Sequence, residues 1–294
     1  MGLSEQQLAE RASGLGGSDA APALGLSPYK SALELFIEKR EPVREPSDDA
    51  RAYFRWGALL EPVIRQEYAQ VTGRVVRLPT GTLRHQKHHF ILAHVDGVTD
   101  DARVFEAKTA RNAEGWGRAG SDEVPHHYLV QVQHYLAVTG FALADIAVLI
   151  GGSDFRIYTV PADVELQAMI IDGEREFWDM VEKGTPPPPD LERADAIGVM
   201  RRLYPGTDGR SITATDDDVH HRKVHANAVE MAKQYQQLAD TTKAHLLHVM
   251  GSAARMVFPG DGLQLQRKQV TRKQFVMPMS TYIDARFSKL KEVE

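Results

Sequence analysis

The chain has no cysteine. That absence removes disulfides, zinc ribbons, iron–sulfur clusters and thiol nucleophiles together. Any metal must be held by carboxylates, carbonyls or histidines, a donor set that favours hard ions such as Mg²⁺ or Mn²⁺. No apolar run approaches the roughly 18 residues that would suggest a membrane span. The opening MGLSEQQLAERASG has polar and acidic residues where a signal peptide has its apolar core, so a cytoplasmic protein is expected. There is no basic excess either. With a net charge of −5, any nucleic-acid role needs a local basic groove on an acidic body. The 43% hydrophobic and 26% charged content excludes a mostly disordered chain, and 294 residues suit one large domain or a domain with an extension.

The tetraproline Pro186–Pro189 is the clearest break, because proline has no N–H to donate and fixes φ. It divides an expected domain at 1–189 from an extension at 190–294. In the first part, Ser18 reads as the N-cap of a short helix, and Ser27-Pro28 as the start of a second. A third helix spans about Ala50 to Thr72 and stops at Gly73. Strand-like runs follow at Arg74–Leu78, Phe90–Val95 and Arg103–Lys108. A helix at His126–Thr139 ends at Gly140, strands occupy Ile146–Ile150 and Phe155–Val160, and a helix covers Ala162–Lys183. The pattern predicts an α/β fold, a mixed central sheet flanked by helices, with a helical C-terminal extension. In that extension Val224, Ala228, Met231, Tyr235, Leu238, Thr242, His245 and Val249 alternate spacings of four and three. This heptad-like stripe fits either packing on the first domain or contact with another copy.

Asp96 ends the run HHFILAHVDG, and Glu106-Ala107-Lys108 follows ten residues later. Side chains alternate along a strand, so Glu106 and Lys108 share a face. The turn-rich VTDDA between them allows a hairpin that sets Asp96 beside Glu106. Two carboxylates bind Mg²⁺, and a lysine can orient an attacking water and stabilise charge on phosphorus. A hairpin salt bridge would leave the same triplet in the sequence. Glu61 sits among apolar neighbours directly before Pro62, an odd place for a solvated charge. Gln131 and Tyr135 are four apart and share one helix face, while Gln133 falls on another. Trp116 lies in a loop just after the triplet, where it either contacts a base or packs inward.

Taken in order, these stretches resemble the YqaJ-type viral recombinases, phage nucleases of the PD-(D/E)XK superfamily related to phage lambda exonuclease. The matching segments are Gly16-Gly17-Ser18-Asp19, Gly25-Leu26-Ser27-Pro28, Trp56-Gly57 with Leu60-Glu61-Pro62, His94-Val95-Asp96-Gly97, Glu106-Ala107-Lys108-Thr109 and Gln131-Val132-Gln133-His134-Tyr135. The resemblance implies a PD-(D/E)XK core in which Asp96 and Glu106 are the principal Mg²⁺ ligands and Lys108 is the motif lysine. The Ala107 carbonyl would complete the shell. Glu61 would serve a second ion, and Mn²⁺ would substitute for Mg²⁺. Gln131 and Tyr135 match a QxxxY pattern, with Gln133 carried beside them as a catalytic candidate. Arg11 and Ser18, seven apart, match a pair that binds a 5′-phosphate. The implied activity is 5′-to-3′ resection of double-stranded DNA ends, which leaves 3′ strands for a single-strand annealing protein. A ring-shaped homo-oligomer in a bacterial host, of phage or prophage origin, goes with it. The alternatives are an endonuclease of the same fold and a non-catalytic DNA-binding module.

Overall fold

The structure is a computed structural model that describes residues 12–41 and 48–269, with the side chains of 48–54 outside that description. Arg11 therefore lies outside the described residues. The chain forms two compact units, one ending at Tyr204 and the other beginning at Pro205.

In the first unit the helices are α1 (Gly17–Ala23), α2 (Ala32–Arg40), α3 (Asp48–Thr72), α4 (His126–Thr139), α5 (Val164–Lys183) and α6 (Ala196–Leu203). The strands are β1 (Val76–Arg77), β2 (Leu83–Arg84), β3 (Leu92–Ala93), β4 (Gly97–Thr99), β5 (Arg103–Ala110), β6 (Leu143–Ile150) and β7 (Asp154–Pro161). Five of them make one sheet in the order β1-β4-β5-β6-β7. β5 and β6 run parallel, which requires the crossover that α4 provides, and the other pairs are antiparallel. β2 and β3 form a separate antiparallel pair.

Strand alternation decides what each sheet face buries. Val104 of β5 and Ala144, Ile146 and Val148 of β6 pack with Val132, Tyr135 and Leu136 of α4. Phe105 and Ala147 pack with Ile64 and Tyr68 of α3. The sheet is thus covered by α4 on one face and α3 on the other. At the start of β6, Asp145 is buried and receives hydrogen bonds from Tyr68 (2.6 Å), Thr159 (2.7 Å) and Arg103 (3.3 Å). That network locks α3 to three strands.

Several boundaries differ from the pattern reading. Ser18 is not the cap of α1: Gly16 is, and the Asp19 carboxylate reaches back to accept its N–H at 3.1 Å. α2 begins later than Pro28, because the Ser27 hydroxyl is turned onto the N–H groups of Tyr29 and Lys30 while Ser31 caps Glu34. The run Phe90–Val95 yields only a two-residue β3, since Phe90 and Leu92 bond instead to Leu15 of the Gly-rich segment. β2 and β4 are too short for a periodic signal. Residues 190–204 do not belong with the extension: α6 folds back after the tetraproline, and its Val199 joins Leu33, Phe36 and Phe177 in one apolar cluster.

The second unit contains α7 (Asp216–Met250) and the antiparallel pair β8 (Arg255–Phe258) and β9 (Leu263–Gln266). Thr215 caps α7 in a reciprocal exchange with Asp218. Within this unit the stripe residues Val224, Met231, Tyr235, Leu238 and Val249 are exposed.

Asp145→Ala is expected to destabilise the protein by about 2–4 kcal/mol, because it strands the buried Tyr68 hydroxyl and removes the contacts from Thr159 and Arg103. Urea unfolding measures this, and a loss below about 1 kcal/mol would mean that the network does not hold α3.

Candidate active site

β5 and α4 build the site between them. The hairpin register sets Gly97 of β4 opposite Phe105, so Asp96 falls beside Glu106 and Ala107. A side chain at position 97 would strike Val76, which explains the glycine after Asp96. The Asp96 carboxylate accepts the Ala107 N–H at 2.9 Å. Glu106, only 3% exposed, accepts from Lys108 Nζ at 2.7 Å and Gln131 Nε2 at 2.8 Å, both at Oε1. Gln131 also donates to the Tyr135 hydroxyl at 3.0 Å. The Lys108 ammonium stands 4.8 Å from the centre of the Tyr128 ring.

α4 is buried nearly all round between Val130 and Leu136. Its polar residues therefore need internal partners. Gln131 has Glu106. Gln133 donates to the Pro161 carbonyl at 2.7 Å and accepts from the Asp163 N–H and Gln167, so it clamps the β7–α5 turn. It is not part of the site, because both ends of its amide are engaged elsewhere. His134 bridges Glu174 at 2.6 Å and the Leu92 carbonyl at 2.7 Å.

The Gly-rich segment closes the other side. A side chain at Gly14 would strike the Phe90 carbonyl, and one at Gly17 the Tyr135 ring. Asp19 forms a buried ion pair with Lys39 at 2.7 Å. This close packing leaves Ser18 exposed on the wall of a pocket of about 390 Å³ that Glu61, Asp96, Glu106, Ala107, Lys108 and Gln131 also line. Glu61 of α3 is half-buried and pairs with Arg65 at 3.2 Å.

Trp116 takes the packing alternative rather than that of a base contact. It is 8% exposed and packs against Tyr128 and Tyr158, with ring centres 5.5 and 5.1 Å away. Sequence reasoning also passed over His127, Tyr128 and Tyr29, all on the pocket wall. His127 and Tyr128 lie four and three residues before Gln131, a helical spacing that could have marked them.

Electrostatics are dominated by crowded carboxylates. Burial, and then the Asp96 charge, push the Glu106 carboxyl up to about 8. Burial also raises Asp96, against the Ala107 N–H that lowers it. Burial raises Glu61, with Asp96 adding to the effect. Burial alone would lower Lys108, yet Glu106 and Asp96 carry it above the ordinary lysine value. Glu106 Oε2 is buried with no hydrogen-bond partner. A hard divalent cation fits this donor set, since it would take the orphaned oxygen and relieve the repulsion between the carboxylates. Among the described residues no three or more His, Asp or Glu side chains are grouped to enclose an ion.

Two carboxylates and a lysine thus converge at one hairpin of a mixed α/β sheet. The model of the YqaJ-like viral recombinase domain matches residues 7–142. The uncharacterized protein YqaJ of Bacillus subtilis (strain 168) is 35% identical over 257 residues, covering 85% of this chain and 79% of that one. The chain belongs to the YqaJ-like viral recombinase family. Its fold is similar to that of an alkaline exonuclease, LHK-Exo, from Laribacter hongkongensis, with a TM-score of 0.50 at 20% identity over 62% of this chain and 94% of that one. The complex of that exonuclease with dAMP matches equally, at 21% identity with the same TM-score and coverage. No helix among the described residues is long and apolar enough to cross a membrane.

In EDTA, Glu106 adds stability only while protonated. A folded value near 8 against an unfolded value near 4.5 means that this stability is complete below 4.5 and lost as pH rises through 8. Glu106→Gln should remove that decline, so that between pH 5 and 8 the variant gains on the wild type by on the order of 1.4 kcal/mol per pH unit. Parallel stability curves from urea titrations would contradict the assignment.

Proposed function

We propose that this chain is a divalent-metal-dependent deoxyribonuclease, and specifically a 5′-to-3′ exonuclease of double-stranded DNA ends. The observation that carries the reading is the convergence of Asp96 and Glu106, with Lys108 held on Glu106 Oε1 while Oε2 stays buried and unpartnered. Asp96 and Glu106 are the residues to hold Mg²⁺ or Mn²⁺, with the Ala107 carbonyl as a further donor and Glu61 serving a second ion. Bound there, such ions stabilise charge on the attacking and leaving oxygens of an in-line displacement.

The chain's own groups supply the rest. Lys108, fixed between Glu106 and the Tyr128 ring, presents a cation to the pocket that orients the attacking water and offsets negative charge on phosphorus. Gln131, backed by the Tyr135 hydroxyl, holds Glu106 in its rotamer. Ser18 offers a hydroxyl on the same wall, where with Arg11 it would receive the 5′-phosphate of the strand end. The solved dAMP complex of a protein of similar fold supports a DNA strand as substrate. Resected ends would pass to a single-strand annealing protein. The exposed stripe of α7 is the surface on which a second copy would build the ring that the family resemblance implies.

Lys108→Ala is expected to lower cleavage at least a hundredfold while changing DNA affinity little, whereas Asp96→Ala and Glu106→Ala each lose an Mn²⁺ site by calorimetry. Near-normal turnover by a folded Lys108→Ala protein, or unchanged Mn²⁺ stoichiometry in both carboxylate variants, would overturn the assignment.

Direction is tested separately. Wild-type protein should digest 5′-phosphorylated duplex faster than 5′-hydroxyl duplex, and Arg11→Ala should narrow that gap by about one to two orders of magnitude, the worth of one charge-assisted hydrogen bond. Equal rates on both ends, unaffected by Arg11→Ala, together with cutting of closed circles, would favour the endonuclease.

A further inference from the structure

His127 is the pocket residue that the proposed chemistry leaves unused. It begins the series His127, Gln131, Tyr135 at intervals of four, so it lies on the face of α4 that carries the site. It lines the pocket with Asp96, Glu106 and Lys108. Its Nε2 is buried and has no hydrogen-bond partner, a condition that costs free energy until a partner arrives.

Two rings hold the imidazole. Tyr29 stands edge-on to it at 5.3 Å, and Tyr128 lies 4.0 Å away. The role of metal ligand is already assigned to Asp96, Glu106 and Glu61 in the nuclease reading and is not given to it. Burial, and then the charges of Lys108 and His126, lower its pKa, so at neutral pH it is uncharged and has one N–H to give. The role of proton donor to a leaving oxygen, which needs the imidazolium, does not suit it either.

We propose that His127 donates a hydrogen bond from Nε2 to a non-bridging phosphate oxygen of the DNA strand in the pocket. It is thus a strand-binding residue beside the Lys108 wall, with Tyr29 and Tyr128 orienting its ring. The inference rests on the nuclease reading for the identity of the strand.

The test measures steady-state cleavage in Mg²⁺, and binding of a 5′-phosphorylated duplex by anisotropy with Ca²⁺ in place of Mg²⁺. The proteins are wild type, His127→Ala, His127→Leu and His127→Gln, each checked by thermal melting. Loss of a hydrogen bond to a charged acceptor should raise Kd and KM about 10–100-fold in the Ala and Leu variants, with kcat changed much less. His127→Gln keeps an N–H donor and should recover most of the affinity. His127→Leu fills the space without a donor and carries the test should the Ala variant not fold. Unchanged Kd and KM in the donorless variants, a fall in kcat alone, or a Gln variant no better than Leu would overturn the proposal. Wild-type protein that binds duplex through His127 but never cleaves it would defeat the nuclease reading and leave the contact standing. Cleavage with a His127-independent KM would defeat the contact alone.

Discussion

A carboxylate that is almost fully buried governs this structure. Glu106 faces α4 across the sheet and shares one oxygen between Lys108 and Gln131. An ionised carboxylate in such a place is costly unless paired, and Asp96 beside it adds to the cost. The local architecture answers that problem. The hairpin holds Asp96 on the Ala107 N–H, the parallel pairing of β5 with β6 brings α4 over Glu106, and the Gly-rich segment packs on Tyr135 with no room for a side chain at Gly17. The same cost makes the site receptive to a cation, because a divalent ion is the simplest way to reconcile the two carboxylates.

α4 serves both the core and the pocket wall. Its buried polar residues are divided by helical spacing: Gln131 turns to Glu106, Gln133 to the β7–α5 turn, and His134 to Glu174 and the Leu92 carbonyl. Burial would lower His134, but the Glu174 carboxylate outweighs that effect and raises it. It ties α4 and α5 to β3, the strand that leads into Asp96. The hydrogen-bonded His134–Glu174 pair thus helps hold the strand that leads to the carboxylates from outside the pocket.

Much of this was legible in the sequence. Long elements with one clear period and a marked end, such as the helix closed at Gly140 and the strand that carries Glu106, were readable because local chemistry determines them. The Asp96–Glu106–Lys108 triplet was readable because strand alternation and a short turn are local as well. Short pieces were not: β2 and β4 have two or three residues and carry no period, and of the run at Phe90–Val95 only two residues pair as β3, because Phe90 and Leu92 bond to Leu15. The start of α2 was misplaced because Ser27 and Ser31 look alike as caps, and only the tertiary course of the chain settles which hydroxyl meets a helical N–H.

The chain by itself determined which side chains could do the chemistry: a cysteine-free set of carboxylates, one lysine on the strand face of Glu106, and a glutamine and tyrosine one helical turn apart. Tertiary structure alone decided which candidates gather at the pocket. It sent Gln133 to a turn and Trp116 into the core between Tyr128 and Tyr158, and it brought His127 to the pocket wall with a nitrogen left unpartnered. The physical reason is that a side chain's role depends on the partner it finds, and partners distant along the chain become neighbours only when the sheet and its two covering helices close.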